Sequence, residues 1–156
     1  MAKEIERKFL VRQDLWQPKD RGTEIAQGYL SLDPDRIVRV RIRGKKGFLT
    51  IKGRTRGISR TELEYEIPRS EARQLLDELC LRPLVEKVRY TEELHGQQWE
   101  IDVFSGANEG LIVAEAELPS EDAPLYLPEW AGREVSHDSR YYNSNLIHNP
   151  YMNWDM

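Results

Sequence analysis

The sequence predicts a mainly β fold of the α+β class, in which seven or eight antiparallel strands close on themselves with a few helices outside. Three observations carry this. Nearly every strand-like stretch alternates charged and apolar residues, as in Glu4, Glu6 and Lys8 against Ile5, Phe9 and Val11. Turn residues separate these stretches at short intervals. Only one strong helical pattern is present, too little to cover an open sheet with so broad an apolar face.

Residues 3–12 and 24–33 read as the first two strands, with Tyr29 alternating against Ala26, Gly28 and Leu30, and Asp33-Pro34-Asp35 supplies a turn. Residues 36–44 set Arg39, Arg41 and Arg43 against Val38, Val40 and Ile42. After the Gly44 to Gly47 turn, residues 48–54 set Thr50, Lys52 and Arg54 against Leu49 and Ile51, which predicts a hairpin. Residues 59–67 place Glu62, Glu64 and Glu66 opposite Leu63, Tyr65 and Ile67. A helix follows, with Ser70 as cap, Glu71 at its positive end, and Ala72, Leu75, Leu76, Leu79 and Cys80 on one stripe until Pro83. Cys80 reads as a core residue of that stripe. Strands resume with Lys87 and Arg89 against Val88 and Tyr90, and with Glu100 and Asp102 against Trp99, Ile101 and Val103, joined by a turn at His95-Gly96. Residues 111–118 set Glu115 and Glu117 against Ile112, Ala114, Ala116 and Leu118. The remainder reads as loop with a short helix near 143–148.

Its 156 residues suit a single domain spanning 1–156. A net charge of −4 argues against a general nucleic-acid binder, although the cations are clustered. One cysteine excludes an internal disulfide framework and a cysteine-cluster zinc site and suits a reducing compartment. With no apolar leader and no run near the roughly 20 apolar residues of a membrane helix, a cytoplasmic location and no membrane partner are expected.

A closed sheet leaves two choices of lumen. Apolar side chains inside give a lipocalin-like barrel, whereas charged side chains inside give a tunnel, costly when empty because buried ions lose hydration worth several kcal/mol. A ligand of complementary charge offsets that cost. An outer-membrane barrel also points apolar residues outward, but the internal amphipathic helix and the lack of paired aromatic girdles oppose it. A soluble tunnel must cover its outer faces with helices, loops or a second subunit, so a homodimer is expected.

The cations Lys8, Arg39, Arg41, Lys52, Arg54, Lys87 and Arg89 share the charged face and match an extended anion with several negative groups; a triphosphate fits. The carboxylates Glu4, Glu6, Glu62, Glu64, Glu100, Asp102, Glu115 and Glu117 would repel that anion unless a cation stood between, and an oxygen-rich set suits Mg2+ or Mn2+. His95, His137 and His148 lack zinc-ligand spacing and read as surface or structural residues. No Walker-A loop, GxSxG elbow or Cys/His pairing competes. The chemistry that fits is phosphoryl transfer to water, driven by positioning and electrostatics.

At Glu4-Ile5-Glu6-Arg7-Lys8 the chain resembles the ExExK signature of the CYTH, or triphosphate tunnel metalloenzyme, superfamily. The likeness continues through Arg39-Val40-Arg41, Lys52, Glu62-Leu63-Glu64, Lys87-Val88-Arg89, Glu100-Ile101-Asp102 and Glu115-Ala116-Glu117. The resemblance implies a closed eight-stranded antiparallel tunnel with a charged interior and a divalent-metal-dependent activity on triphosphates. It implies metal ligation centred on Glu4, Glu6, Glu115 and Glu117, with Asp102 as a further candidate, and phosphate binding by Lys8, Arg39, Arg41, Lys52, Lys87 and Arg89. Glu62 and Glu64 either bind metal or orient the arginines, and Tyr29 stands near the reacting centre as base or orienter. Glu4, Glu6, Lys8 and Tyr29 form the expected catalytic group. The tail, Ser136-His137-Asp138 and Arg140 to Leu146, resembles the segment that packs at one tunnel mouth in short bacterial members, with His137 where a small residue is expected. The short chain favours hydrolysis of tripolyphosphate to pyrophosphate and phosphate, with side activity on nucleoside triphosphates. A class IV-type adenylate cyclase, a thiamine triphosphatase and a non-catalytic polyphosphate-binding module are the alternatives.

Overall fold

The computed structural model describes residues 3–154. Its elements in chain order are β1 (Lys3–Val11), β2 (Thr23–Asp33), β3 (Arg36–Arg43), β4 (Lys46–Lys52), β5 (Ser59–Ile67), α1 (Arg69–Glu78), β6 (Val85–Leu94), β7 (Gln97–Ser105), β8 (Ile112–Glu117), β9 (Ala131–Glu134) and α2 (Asn145–His148). The fold is mostly antiparallel sheet with few helices. Strand order is β5-β4-β3-β2-β6-β7-β8-β1-β9, and β5 pairs a second time, with β1. The pairings therefore run in a ring through β1 to β8, with β9 attached to β1 as a ninth strand where loop was expected. The β1–β5 seam is short: Lys3, Glu4 and Ile5 face Thr61, Arg60 and Ser59.

Turn chemistry sets the hairpins. His95 and Gly96 both have positive φ, 51° and 75°, which matches the twist of β6 and β7. In β2 the register shifts between Tyr29 and Ser31, so one extra residue re-aims the strand beyond Tyr29.

Apolar residues form three clusters, two of them on the outer faces of the strands. In one, α1 lays Ala72 and Leu76 on Val40 and Ile42, with buried, free Cys80 in the same cluster. The helix and the segment after it can approach because Gly47 and Gly28 carry no side chain: a Cβ at Gly47 would lie 2.7 Å from that of Ala72 in the helix, and one at Gly28 would lie 2.9 Å from the Cβ of Cys80, just beyond the helix end. Ser70 does not cap this helix as expected. Pro68 occupies the N-cap position, with no side-chain cap, because the strand runs almost directly into the first turn. A second cluster packs Phe9, Trp99, Ala114 and Ala116 beneath Trp16 and Trp130. Ring centroids of Phe9 and Trp99 are 5.8 Å apart, and those of Trp99 and Trp130 are 5.3 Å apart, both edge-on. Trp16 and Trp130 belong to connecting segments outside the regular elements, and Trp16 Nε1 donates to Glu92 Oε2 at 2.8 Å. The third cluster lies on the inner face: Tyr29, Val85, Phe104 and Val113, which share strand parity with the charged residues there, join Val135, Tyr141, Leu146 and Ile147 of the tail. Among the described residues no helix is long and apolar enough to cross a membrane.

Candidate active site

The inner face is assembled by cross-strand register. Lys8 lies opposite Glu115 and Glu6 opposite Glu117, Lys52 opposite Glu62 and Thr50 opposite Glu64, Arg89 opposite Asp102, Tyr29 opposite Arg39, and Gln27 opposite Arg41. The side chains enclose a cavity of about 210 Å³. Of the expected site residues, Glu4, Glu6, Lys8, Tyr29, Arg39, Arg41, Lys52, Glu62, Glu64, Arg89, Glu115 and Glu117 line it. Lys87 and Asp102 do not line it; they are fully buried together, Nζ to Oδ2 at 2.7 Å. Arg54 is elsewhere. The strand ends at Lys52, the alternation stops at Gly53, and Arg54 turns out to solvent beside Asp35 with more than half its side chain exposed, so it is not part of this cavity.

Most cations here are matched by an acid. Lys52 Nζ is 3.2 Å from both Glu4 oxygens and 3.2 Å from Glu62 Oε2, and Arg60 Nε donates to Glu4 Oε1 at 3.2 Å. Arg89 grips both oxygens of Asp102 at 2.8 and 2.9 Å and also reaches Glu100 at 3.3 Å. Lys8 Nζ sits 3.4 Å from Glu115 Oε1 and donates to the Tyr141 carbonyl at 3.2 Å. Arg39 Nη2 donates to Thr50 Oγ1 at 3.3 Å, and Thr50 donates to Glu64 at 2.9 Å. Arg41 differs: it is buried, makes no ion pair among the described residues, and donates from Nε to the neutral Gln27 Oε1 at 2.8 Å. Arg39 keeps a buried Nε with no acceptor, and Glu62 a buried Oε2 with no donor in hydrogen-bonding geometry.

Titration follows these neighbours. Burial pushes the Glu4 carboxyl up, but Lys52 and Arg60 outweigh it and hold Glu4 well below the carboxylate range. Glu115 is likewise held down, by Lys8 and Arg89 against burial. Glu6 goes the other way, raised well above its ordinary value by burial and then by Glu115 and Glu4. Burial also raises Asp102, yet Lys87 and Arg89 bring it down to about 2. Lys87 falls to about 7 because burial and the nearby Arg89 and Arg41 exceed the pull of Asp102. Arg41 falls to about 9 through burial, Arg39 and Arg89, which marks a cation short of anions. Burial raises Tyr29, against Arg39 and Arg41.

Comparison with known proteins places these features in context. The CYTH domain family model matches residues 2–148. This chain belongs to the CYTH family. A CYTH relative, an inorganic triphosphatase of Acetivibrio thermocellus, is 51% identical over 154 residues, covering 99% of each chain. An inorganic triphosphatase of Nitrosomonas europaea is 40% identical over 147 residues, covering 92% of this chain and 95% of its own. Among solved CYTH-like folds, the crystal structure of an inorganic triphosphatase aligns with a TM-score of 0.67 at 36% identity, covering 94% of this chain and 95% of that one.

Against the ExExK face that announces a CYTH chain, two further inner-wall residues went unread in the sequence. Arg60 shares the parity of Glu62 and Glu64, and Gln27 that of Tyr29, so alternation alone would have placed both inside. Ser136, Tyr142, Asn143 and Ser144 also line the cavity, from tail segments that carry no strand periodicity.

Proposed function

We propose that this CYTH protein is a divalent-metal-dependent triphosphatase that hydrolyses tripolyphosphate to pyrophosphate and phosphate, with its ring of strands acting as a closed tunnel. The observation that carries this is Arg41, a buried cation without an acid partner among the described residues, beside Arg39 with its unpaired Nε. Burying an unpaired charge costs several kcal/mol, and a polyphosphate reverses the deficit. The lining argues against anion binding alone. Seven cationic and seven acidic side chains border the cavity, so an anion entering with a divalent cation disturbs the charge balance less than an anion entering alone.

Among the described residues no three acidic, histidine or cysteine side chains stand close enough together to hold a metal ion. Glu4 is turned to Lys52 and Arg60, and Glu115 to Lys8. The donor set nonetheless fits a hard cation: oxygen only, with Glu6 crowded by the like charges of Glu115 and Glu4. Glu4, Glu6, Glu115 and Glu117 are assigned to hold Mg2+ or Mn2+, which when bound neutralises phosphate charge and acidifies water. Glu64 and Thr50 orient Arg39, and Asp102 orients Arg89 and Lys87, which favours an orienting role for these two acids. Arg39, Arg41, Lys8 and Lys52 grip the phosphate chain, while Lys87, buried behind the lining, pairs with Asp102 and so helps hold that carboxylate on Arg89. Tyr29 stays protonated and donates a hydrogen bond.

The cavity is smaller than the roughly 300–1,000 Å³ of sites for drug-sized ligands, and Tyr29, Tyr142, Ile37 and Ile58 are its main apolar surfaces. This favours an inorganic chain over a nucleotide. In a phosphate-release screen of tripolyphosphate, ATP and thiamine triphosphate with Mg2+ or Mn2+, tripolyphosphate is expected to lead and to need metal. Faster turnover of either organic substrate overturns the preference, cyclic AMP from ATP identifies a cyclase, and binding without turnover identifies a non-catalytic module.

We also propose a cytoplasmic homodimer. Ile51 and Leu63 are cross-strand partners on the outer face of β4 and β5, and with Tyr65 they remain more than a third exposed, a patch a second copy would cover. Sedimentation should show a dimer that dissociates on dilution; a monomer at every concentration removes the idea.

A further inference from the structure

Gln27 is wholly buried in the wall of a site otherwise built from charges, and both ends of its amide are used. Its Oε1 accepts from Arg41 Nε at 2.8 Å, and its Nε2 donates to Tyr29 Oη at 3.2 Å. These contacts follow from the fold: Gln27 is the cross-strand partner of Arg41 and lies two residues before Tyr29, on the same face of β2. We propose that Gln27 is a positioning residue that fixes Arg41 and Tyr29 together for the triphosphate, an inference that rests on the triphosphatase reading above.

Two physical consequences define the role. Engaging Arg41 through Nε leaves both terminal nitrogens of the guanidinium for the forked contact that arginine makes with phosphate oxygens. An amide does this without spending the charge, whereas a carboxylate at the same place would neutralise Arg41 as Asp102 neutralises Arg89. At the other end, a tyrosine oxygen that accepts from Nε2 is turned so that its own proton is free for another acceptor. Gln27 therefore sets Tyr29 as a donor towards the cavity that Tyr29 and Arg41 both line. Nothing else among the described residues hydrogen-bonds the Arg41 side chain or the Tyr29 hydroxyl.

The test compares Gln27→Glu and Gln27→Met with the wild-type protein. Gln27→Glu keeps shape and the acceptor for Arg41 but quenches its charge, so KM for tripolyphosphate should rise at least about tenfold with a smaller change in kcat. Gln27→Met keeps the charge of Arg41 but frees both side chains, so kcat should fall more than KM rises. A purely structural role would lower the melting temperature of both variants without splitting kcat from KM. A substrate-free readout keeps this inference separate from the triphosphatase reading: the Arg41 Nε–H resonance, assigned by its loss in Arg41→Lys, should exchange slowly with solvent in wild type and rapidly in Gln27→Met. Wild type inactive on tripolyphosphate with a protected Arg41 resonance removes the function but not the positioning contact. Both variants within twofold of wild type in kcat and KM, or an unprotected Arg41 resonance in wild type, overturns the proposal.

Discussion

Glu6→Gln is expected to raise the melting temperature of the metal-free protein while destroying its metal-dependent turnover. In the fold Glu6 carries a raised pKa from burial and the neighbouring Glu115 and Glu4, so its ionised form is disfavoured there relative to the unfolded chain. The sign follows: the folded state binds the extra proton, so stability is lost as pH rises from the ordinary glutamate range through the raised folded value. Gln removes that loss. A gain of about 1 kcal/mol would appear as roughly 2–4 °C in a chain of this size, and the stability of the variant should depend less on pH across the same window. Turnover should fall roughly 10²–10³-fold, as when a group aimed at transition-state charge is removed. Glu4→Gln should lose activity similarly but lower stability, because Lys52 and Arg60 then lack the acid they share. Thermal melts with and without metal, paired with phosphate release, check all three statements. Retained turnover in Glu6→Gln and Glu117→Gln would sink the metal assignment, and a lowered melting temperature in metal-free Glu6→Gln would sink its electrostatic basis.

Arg41→Met should be the most damaging change among the cations and yet cost the fold little. The methionine keeps an unbranched stem in the wall but removes a charge that has no acid partner among the described residues, so stability should hold or increase. Activity on tripolyphosphate should fall by about 10³-fold, the scale at which arginines act on transferring phosphoryl groups. Arg54→Ala is the internal control: exposed and, among the described residues, paired only with Asp35, it should stay within about twofold of wild type. Measured kcat/KM for the two variants decides the matter. Comparable losses would mean that cation number rather than position governs substrate binding.

The different fates of Arg41 and Arg54 also show where alternation stops informing. Within a strand the period of two is rigid, so the β1 trio Glu4, Glu6 and Lys8, the β3 arginines and the β8 acids were placed on one face correctly from the residues alone. One residue past the end of β4 the period no longer applies, and Arg54 points away. Arg60 obeys the same period, a lone cation on a strand whose inner face is otherwise acidic. What alternation could not foresee was the coat. The segments carrying Trp16 and Trp130 have no period, since irregular backbone follows the surface it packs on, and β9 exists only because β1 offers it an edge. The helix was legible from its stripe, but its first turn was not, because Pro68 starts it without the side chain that Ser70 offered.

Apolar packing in this protein is divided among three separate clusters, two outside the strands and one where the tail meets their inner face. Leu76, on the buried face of α1, and Trp130, over Trp99, belong to different clusters. Losses at such sites add rather than compound. Each strand thus carries two lines of descent. The outward residues can drift in volume, one cluster at a time, while the inward residues keep the spacing of charges; a lineage could retune thermal tolerance through its coat and leave its chemistry untouched.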